Sequence, residues 1–189
     1  PLRGGKYSLY EAGTRVPLVT YWKGKIDPGV SHALVSQVDL FSSLAQLTSS
    51  EELGRDSNPM LDVFLGKSTE GREEIILEAT SRTALRKGSW VLIPPYEGPA
   101  VAEQVQIELG NSNEYQLFNL ESDLGEQENL AASRPEKLEE MKQVFNKSRG
   151  DALEGGIDLP QVQRAPFLRR HRQGREIDFA AQLHFLDGC

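Results

Sequence analysis

Residues 1–17, PLRGGKYSLYEAGTRVP, combine three glycines with one lysine, two arginines and one glutamate. Glycine allows sharp turns and close approach of the backbone to a ligand, so this composition predicts a loop that presents charged side chains. The apolar residues 16–22 follow at once and are rich in β-branched and aromatic side chains, which predicts a strand. We therefore expect the loop at the edge of a sheet. Because the loop is cationic, its simplest ligand is an anion.

The composition of the 189 residues bounds the class of protein. Hydrophobic and charged fractions are ordinary for a globular chain of one domain, or of one domain with a small second one. The net charge of -7 argues against a nucleic-acid partner, because phosphate binding needs a basic face. No apolar run approaches the roughly 20 residues that span a membrane. The single cysteine, Cys189, excludes an internal disulfide, and no Cys/His cluster indicates a zinc site.

Periodicity predicts helices and strands along residues 16–149. The near-continuous apolar run at 16–22 suggests a strand buried on both faces, as in a parallel or mixed α/β sheet. Apolar spacings of three and four predict a helix over 35–47. Strands are predicted at 73–79, on both sides of a turn at Lys87–Gly88, and at 115–120, which together form a small antiparallel sheet. A helix capped by Ser133 is expected to cover this sheet with an apolar stripe of Leu138, Met141, Val144 and Phe145.

The composition changes after Asp151. Residues 151–189 contain no lysine but five arginines, and the basic stretch 164–175 has neither helical nor strand periodicity. We expect a poorly ordered extension there. An RNA-binding arm is the less favoured alternative, because aromatic residues are not interleaved with the arginines. A frame-shifted or recombined end is a third interpretation.

The residue with the sharpest functional interpretation is Lys6. A lysine on a glycine-flanked loop places a point charge on an oxyanion, whereas the alternative is an ordinary solvated lysine. Arg3 and Arg15 could bind the same anion, but either could equally pair with Glu11. Asp39 lies among the apolar positions of the predicted helix, and a surface or local hydrogen-bonding role is favoured there over catalysis. The chain contains no nucleophile-elbow, zincin, Walker or dinucleotide-binding motif.

Several segments resemble, in order, the later part of the arylsulfatase-type sulfatases of the alkaline-phosphatase-like superfamily. The opening stretch is similar to the family pattern LRGGKGxxxEGGxRVP, with Tyr7 and Ala12 standing where glycines are common. The later matches extend the resemblance over residues 1–150; they are WKGKI at 22–26, SQVDL at 36–40, ALRKGSWVLI at 84–93, and LFNLESDLGE at 117–126 followed by Asn129-Leu130.

This resemblance implies a fold and a role for Lys6. Residues 1–66 would be the C-terminal remnant of a mixed α/β sheet domain, residues 67–150 a small antiparallel-sheet subdomain with a C-terminal helix, and residues 151–189 a tail. In such sulfatases the lysine of the GGK loop contacts the sulfate, so Lys6 would be a catalytic and substrate-binding residue, with Arg3 and Arg15 as further substrate-binding candidates.

The resemblance also implies what other segments must supply. The family's nucleophile is a Cys or Ser of a C-x-P-S-R or S-x-P-S-R motif, converted to formylglycine, and its calcium ligands lie before the GGK loop. Neither the C-x-P-S-R nor the S-x-P-S-R motif occurs in this chain. We therefore expect calcium in the parent enzyme but no calcium ligands from this chain, and activity only together with an upstream sulfatase segment.

The implied function is part of a sulfatase that hydrolyses sulfate esters of a small molecule or glycan. The chain alone is expected to be inactive. A non-catalytic, sulfatase-derived module that binds an anion or a partner is the alternative, and a phosphoesterase of the same superfamily is a third possibility. By family analogy the location would be periplasmic or secreted.

Overall fold

The computed structural model describes residues 2–149, so the predicted tail at 151–189 lies outside the described residues. The fold class is confirmed, with a small antiparallel sheet followed by a C-terminal helix. None of the described helices has the length and hydropathy to cross a membrane. The elements, in chain order, are α1 Glu11–Thr14, α2 Asp39–Leu47, α3 Leu61–Phe64, β1 Glu74–Ala79, β2 Arg82–Lys87, β3 Trp90–Ile93, β4 Val101–Ala102, β5 Ile107–Glu108, β6 Gln116–Asn119 and α4 Pro135–Arg149.

The main sheet has the strand order β1-β2-β3-β6, and every neighbouring pair is antiparallel. Leu92 lies opposite both Leu85 and Leu117, so these three leucines share one face. Val91 lies opposite Phe118, and this pair belongs to the other face, because successive side chains of a strand alternate. Both faces of the sheet are therefore apolar, and each must pack against another element to be shielded from water.

Helix α4 covers the face of the three leucines. Met141 and Phe145 of α4 are buried against them, as the apolar stripe predicted. The helix begins at Pro135, where the missing N–H of proline costs no hydrogen bond. The predicted Ser133 cap is wrong, because the Ser133 hydroxyl donates instead to the carbonyl of Leu130, 3.3 Å away.

The beginning of the chain covers the other face. Leu9 and Tyr10 are buried against Val91 and Phe118, and the rings of Tyr10 and Phe118 meet edge to face with centroids 6.0 Å apart. The glycine-containing stretch is therefore part of the core of the sheet subdomain rather than an appendage.

Helix α2 differs from its prediction in length and in orientation. It spans Asp39–Leu47 rather than 35–47, and it buries Asp39, Ser42 and Ser43. Phe41 and Leu44, which the periodicity placed in the core, are 54% and 55% exposed. The cause is the following loop, whose Ser57 hydroxyl accepts the N–H of Ser42 at 2.9 Å. Similar bonds from this loop satisfy the other buried polar side chains of α2.

The strand predicted at 16–22 is wrong. The backbone there forms no regular secondary structure, and it has no strand partner among residues 2–149. Val19 and Tyr21 are 86% and 82% exposed. A strand needs a neighbour to satisfy its N–H and C=O groups, and the apolar pattern reports only the tendency to be buried, not the presence of that neighbour.

Candidate anion-binding loop

The predicted anion loop is a closed structure held by its own backbone. The N–H of Ala12 donates to the carbonyl of Arg3 at 2.9 Å, which joins the two ends of the loop. Gly4 has φ +82, and a side chain there would overlap Ser8. At Gly13 a side chain would overlap the backbone carbonyl oxygens of Gly5 and Ser8. These two glycines are therefore required by the geometry of the loop.

Lys6 lies at the exposed tip of this loop. Its Nζ is 5.0 Å from the ring centre of Tyr7. Within residues 2–149 it takes part in no salt bridge. Its positive charge is thus accessible from solvent.

Arg3 is held by a carboxylate of strand β5. Its Nη2 and Nε lie 2.6 and 2.9 Å from the two carboxylate oxygens of Glu108, a bidentate geometry, and its guanidinium lies 4.1 Å from the ring centre of Tyr10. The hydrogen bond to Glu108 raises the pKa of Arg3, and the same bond lowers the pKa of Glu108. The charge of Arg3 is therefore already paired with a carboxylate of this chain.

Arg15 pairs with Glu11, one of the two pairings that the sequence left open. The Arg15 Nε lies 2.5 Å from Glu11 Oε2, and Arg86 of β2 contributes Nη1 at 3.1 Å from Glu11 Oε1. Glu11 is buried, so its carboxylate ties the loop to the sheet between two arginines. Of the three predicted cations, the structure thus leaves Lys6 as the one outside an ion pair among the described residues.

Arg82 is a site residue that the sequence did not indicate. Its Nη2 donates to the carbonyl of Tyr7 at 2.9 Å, next to Lys6. Tyr7 has φ 78, a left-handed conformation that costs a residue with a side chain about 1–2 kcal/mol. This conformation explains why glycine suits the position in the family pattern. Ala12, the other departure from that pattern, lies in α1, where alanine is favourable.

Glu126 is a second residue that the sequence did not indicate. It is fully buried below the loop, and its Oε2 accepts the N–H of Glu11 at 2.7 Å. Burial raises the pKa of Glu126 to about 7, with a further rise from the charges of Glu11 and Asp123, against a lowering by the Glu11 amide and by Arg3. Glu126 lies in the segment 117–126 that resembles the family, but nothing in the sequence of that segment indicates a contact with Glu11, more than a hundred positions earlier.

The described residues do not fit a calcium site. Across residues 2–149 no three His, Cys, Asp or Glu side chains lie close enough together to hold a metal ion.

Comparisons with known proteins agree on one family. The family model described as Sulfatase matches residues 1–50. N-acetylgalactosamine-6-O-sulfatase of Bacteroides thetaiotaomicron is 40% identical over 147 residues, which cover 76% of this chain and 29% of that protein. Human arylsulfatase A is 29% identical over 162 residues, covering 76% of this chain and 32% of its own length.

Solved structures show the same relationship. A structure from a study of glycosaminoglycan metabolism by Bacteroides thetaiotaomicron superposes with a TM-score of 0.73 at 38% identity, covering 78% of this chain and 32% of that one. A sulfatase from Pseudoalteromonas sp. shares the fold with a TM-score of 0.66 at 22% identity, with 79% and 32% covered. The chain thus spans about a third of the length of the relatives it matches.

Proposed function

Because the chain belongs to the sulfatase family over the part that these relatives match, we propose that it is part of a sulfatase that hydrolyses sulfate esters and that Lys6 contacts the sulfate. Its relatives are sulfuric-ester hydrolases by name. An ammonium group beside the sulfate neutralises negative charge that develops on the ester as it is cleaved. A sulfated glycan is the proposed substrate class, in line with the name of the 40% identical relative.

The accessible charge of Lys6, on a loop held by hydrogen bonds, is the observation that carries this proposal. Charge stabilisation is effective when the charged group is held in place before the reaction begins. The backbone on both sides of Lys6 is held: before it, the carbonyl of Gly5 accepts the N–H of Ser8 at 2.9 Å, and after it, Arg82 binds the carbonyl of Tyr7. In this proposal Arg3 and Arg15 shape the loop through their carboxylates, and Lys6 meets the ligand.

Replacing Lys6 by alanine is expected to weaken sulfate binding to the chain about tenfold or more. One charge-assisted hydrogen bond contributes about 1.5 kcal/mol or more, and 1.4 kcal/mol corresponds to a factor of ten in affinity. Amide chemical shifts of the loop, followed by NMR during titration with sodium sulfate at constant ionic strength, measure this affinity.

The matched control is Lys25→Ala, which removes another exposed lysine from a turn. This variant should bind sulfate as the wild type does, because only its long-range charge is lost. Equal affinities of the Lys6→Ala variant and the wild type would contradict the role of Lys6 and remove the basis of the proposal.

Two exposed apolar surfaces favour a large protein partner. The first is the segment 16–22, and the second is the outer face of α2, which we name the α2 face and define as Val38, Phe41, Leu44 and Leu47. Each of these four residues is at least 42% exposed, whereas the buried face of the same helix is polar. Contiguous exposed apolar side chains are typical of an interaction site.

We propose that these two surfaces contact the remaining part of a sulfatase. In the Bacteroides thetaiotaomicron structure the matching fold makes up 32% of the chain, so it lies in a chain about three times as long. The proposal places the formylglycine nucleophile and the calcium ligands on that remaining part. A second copy of this chain is the competing occupant of the α2 face.

Complementation tests this assignment. The chain alone is expected to show no turnover of an aryl sulfate. Co-expression with the Bacteroides thetaiotaomicron N-acetylgalactosamine-6-O-sulfatase from which the matching 29% has been deleted is expected to restore activity. Replacing both Phe41 and Leu44 by aspartate should abolish this restoration, because two charges would have to be buried at the interface.

The control for the charged variant is Gln46→Glu, an exposed polar position of α2. This control should complement as the wild type does, and circular dichroism should show all variants folded. Metal-dependent turnover by the chain alone would contradict the expected inactivity. Full complementation by the doubly charged variant would exclude the α2 face as the docking surface, and a dimer that this variant abolishes would identify a second copy as its occupant.

A further inference from the structure

We propose that Glu126 is the positioning residue of the Lys6 loop and that it sets the orientation in which Lys6 meets an anion. Its contacts with the loop stand on the geometry alone, whereas its effect on sulfate rests on the proposed function. Neither the family match nor the names of the relatives assign a role to this residue.

The turn after β6 places Glu126 under the loop. The carboxylate of Asp123 accepts the N–H groups of Gln127 and Glu128 at 2.6 and 2.8 Å, and this holds the turn closed. Glu126 itself adopts φ 51, a left-handed conformation that disfavours residues with a side chain. A strained residue persists where the surrounding contacts over-determine it, so the position of Glu126 is held from several sides.

Glu126 holds the two ends of the loop at once. Its main-chain carbonyl accepts Nη1 of Arg3 at 2.6 Å, and its side-chain Oε2 accepts the N–H of Glu11 at 2.7 Å. Lys6 lies between these two anchor points. A shift of Glu126 therefore moves both ends of the segment that carries the lysine.

The carboxyl group of Glu126 is fully buried, and only one of its two oxygens has a hydrogen-bond partner among the described residues. Its Oε1 is buried and has no hydrogen-bond partner among the described residues. The charged and titratable groups that face it are Glu11 from α1, Arg3 from the loop and Asp123 from its own turn. Burial raises its pKa to about 7, so the group changes charge near neutral pH. Because a carboxylate accepts a hydrogen bond more strongly than a neutral acid, deprotonation strengthens the bond to the Glu11 N–H.

The Glu11 amide resonance tests the positioning contact directly. Between pH 5 and 9 its chemical shift in the wild type should titrate with a midpoint near the pKa of about 7. Glu126→Gln keeps an oxygen for the Glu11 N–H but removes the titrating group, so this midpoint should disappear. Glu128→Gln, an exposed carboxylate in the same turn, should leave it unchanged. An unchanged midpoint in Glu126→Gln would overturn the proposal.

Sulfate titration at pH 8 tests the effect on Lys6. Glu126→Ala removes the acceptor and should weaken sulfate binding about tenfold, whereas Glu126→Gln should restore much of the affinity and make it independent of pH. If Glu126→Ala does not fold, the comparison of Glu126→Gln with the wild type across the pH range decides the question. Sulfate binding that keeps its pH dependence in Glu126→Gln would overturn the positioning role. Absence of sulfate binding in the wild type would instead refute the proposed function and leave the Glu11 resonance to decide on Glu126.

Discussion

Replacing Asp39 by alanine is expected to lower the free energy of unfolding by about 3–5 kcal/mol. Asp39 is fully buried at the start of α2, and its carboxylate accepts the N–H groups of Ser36 and Asn58, each at 2.8 Å. Arg72, which precedes β1, donates Nε to the same carboxylate at 2.8 Å and makes a second, shorter contact through Nη2. The change would leave a largely buried guanidinium and two backbone amides without their acceptor.

The pH dependence of stability provides a second measure of the Asp39 network. Burial raises the pKa of Asp39, but the Arg72 bond and the two amide bonds outweigh it, so the pKa is lowered. A lowered folded-state pKa adds stability above the unfolded value of about 3.8, and this stability is lost as the pH falls through the folded value. Asp39→Ala should therefore lose this component of the acid dependence.

Urea denaturation, together with hydrogen exchange at Ser36 and Asn58, measures the loss of unfolding free energy and, when repeated at low pH, its acid dependence. Asp62→Ala, which removes an exposed aspartate from α3, is the control and should change the unfolding free energy by less than about 0.5 kcal/mol. If Asp39→Ala unfolds within about 1 kcal/mol of the wild type, the carboxylate does not organise this region as the structure indicates.

The replacement of Phe118 by alanine is the second change with a large expected effect, about 3–5 kcal/mol of lost stability. Phe118 is 1% exposed, and it packs beneath Leu9 and Tyr10 at the base of the Lys6 loop. The change removes a buried ring and leaves a cavity that the strands cannot close fully. Because the loop rests on this ring, its amides should also exchange faster with solvent.

Two controls separate this effect from a general loss of aromatic surface. Phe118→Leu keeps most of the buried volume and should cost about 1.5 kcal/mol or less. Phe41→Ala removes an exposed phenylalanine from the α2 face and should change stability by less than about 0.5 kcal/mol. Equal losses for Phe118→Ala and Phe41→Ala would contradict the packing of the loop on the sheet.

The elements of the sheet subdomain were predictable because their signals are local. Helix α4 shows the periodicity of one buried face, and strands β1, β2, β3 and β6 are short segments separated by turn residues. The turn between β2 and β3 contains Gly88, which has φ 57. The loop at residues 2–17 was likewise recognisable by its glycines, and Gly4 and Gly13 fill the close approaches that only glycine allows.

Helix α2 shows where local signals fail. Its periodicity correctly indicates an apolar face, but that face is exposed, because Asp39, Ser42 and Ser43 bind the loop that follows. Periodicity records which side chains favour burial, and it does not record which partner is present. Asp39 makes the local hydrogen bond expected of it, to the N–H of Ser36, but it is buried rather than on the surface, and its partner Arg72 lies 33 positions away.

By its residues alone, this protein's sequence determined strands β1, β2, β3 and β6, helix α4, the glycine loop and its lysine, but not strands β4 and β5. Only the tertiary structure decided that Arg3 pairs with Glu108, that Arg15 shares Glu11 with Arg86, and that Glu126 holds both ends of the loop. The physical reason is the distance along the chain. Backbone periodicity arises between near neighbours, whereas these pairings join residues brought together only when the loop closes over the sheet.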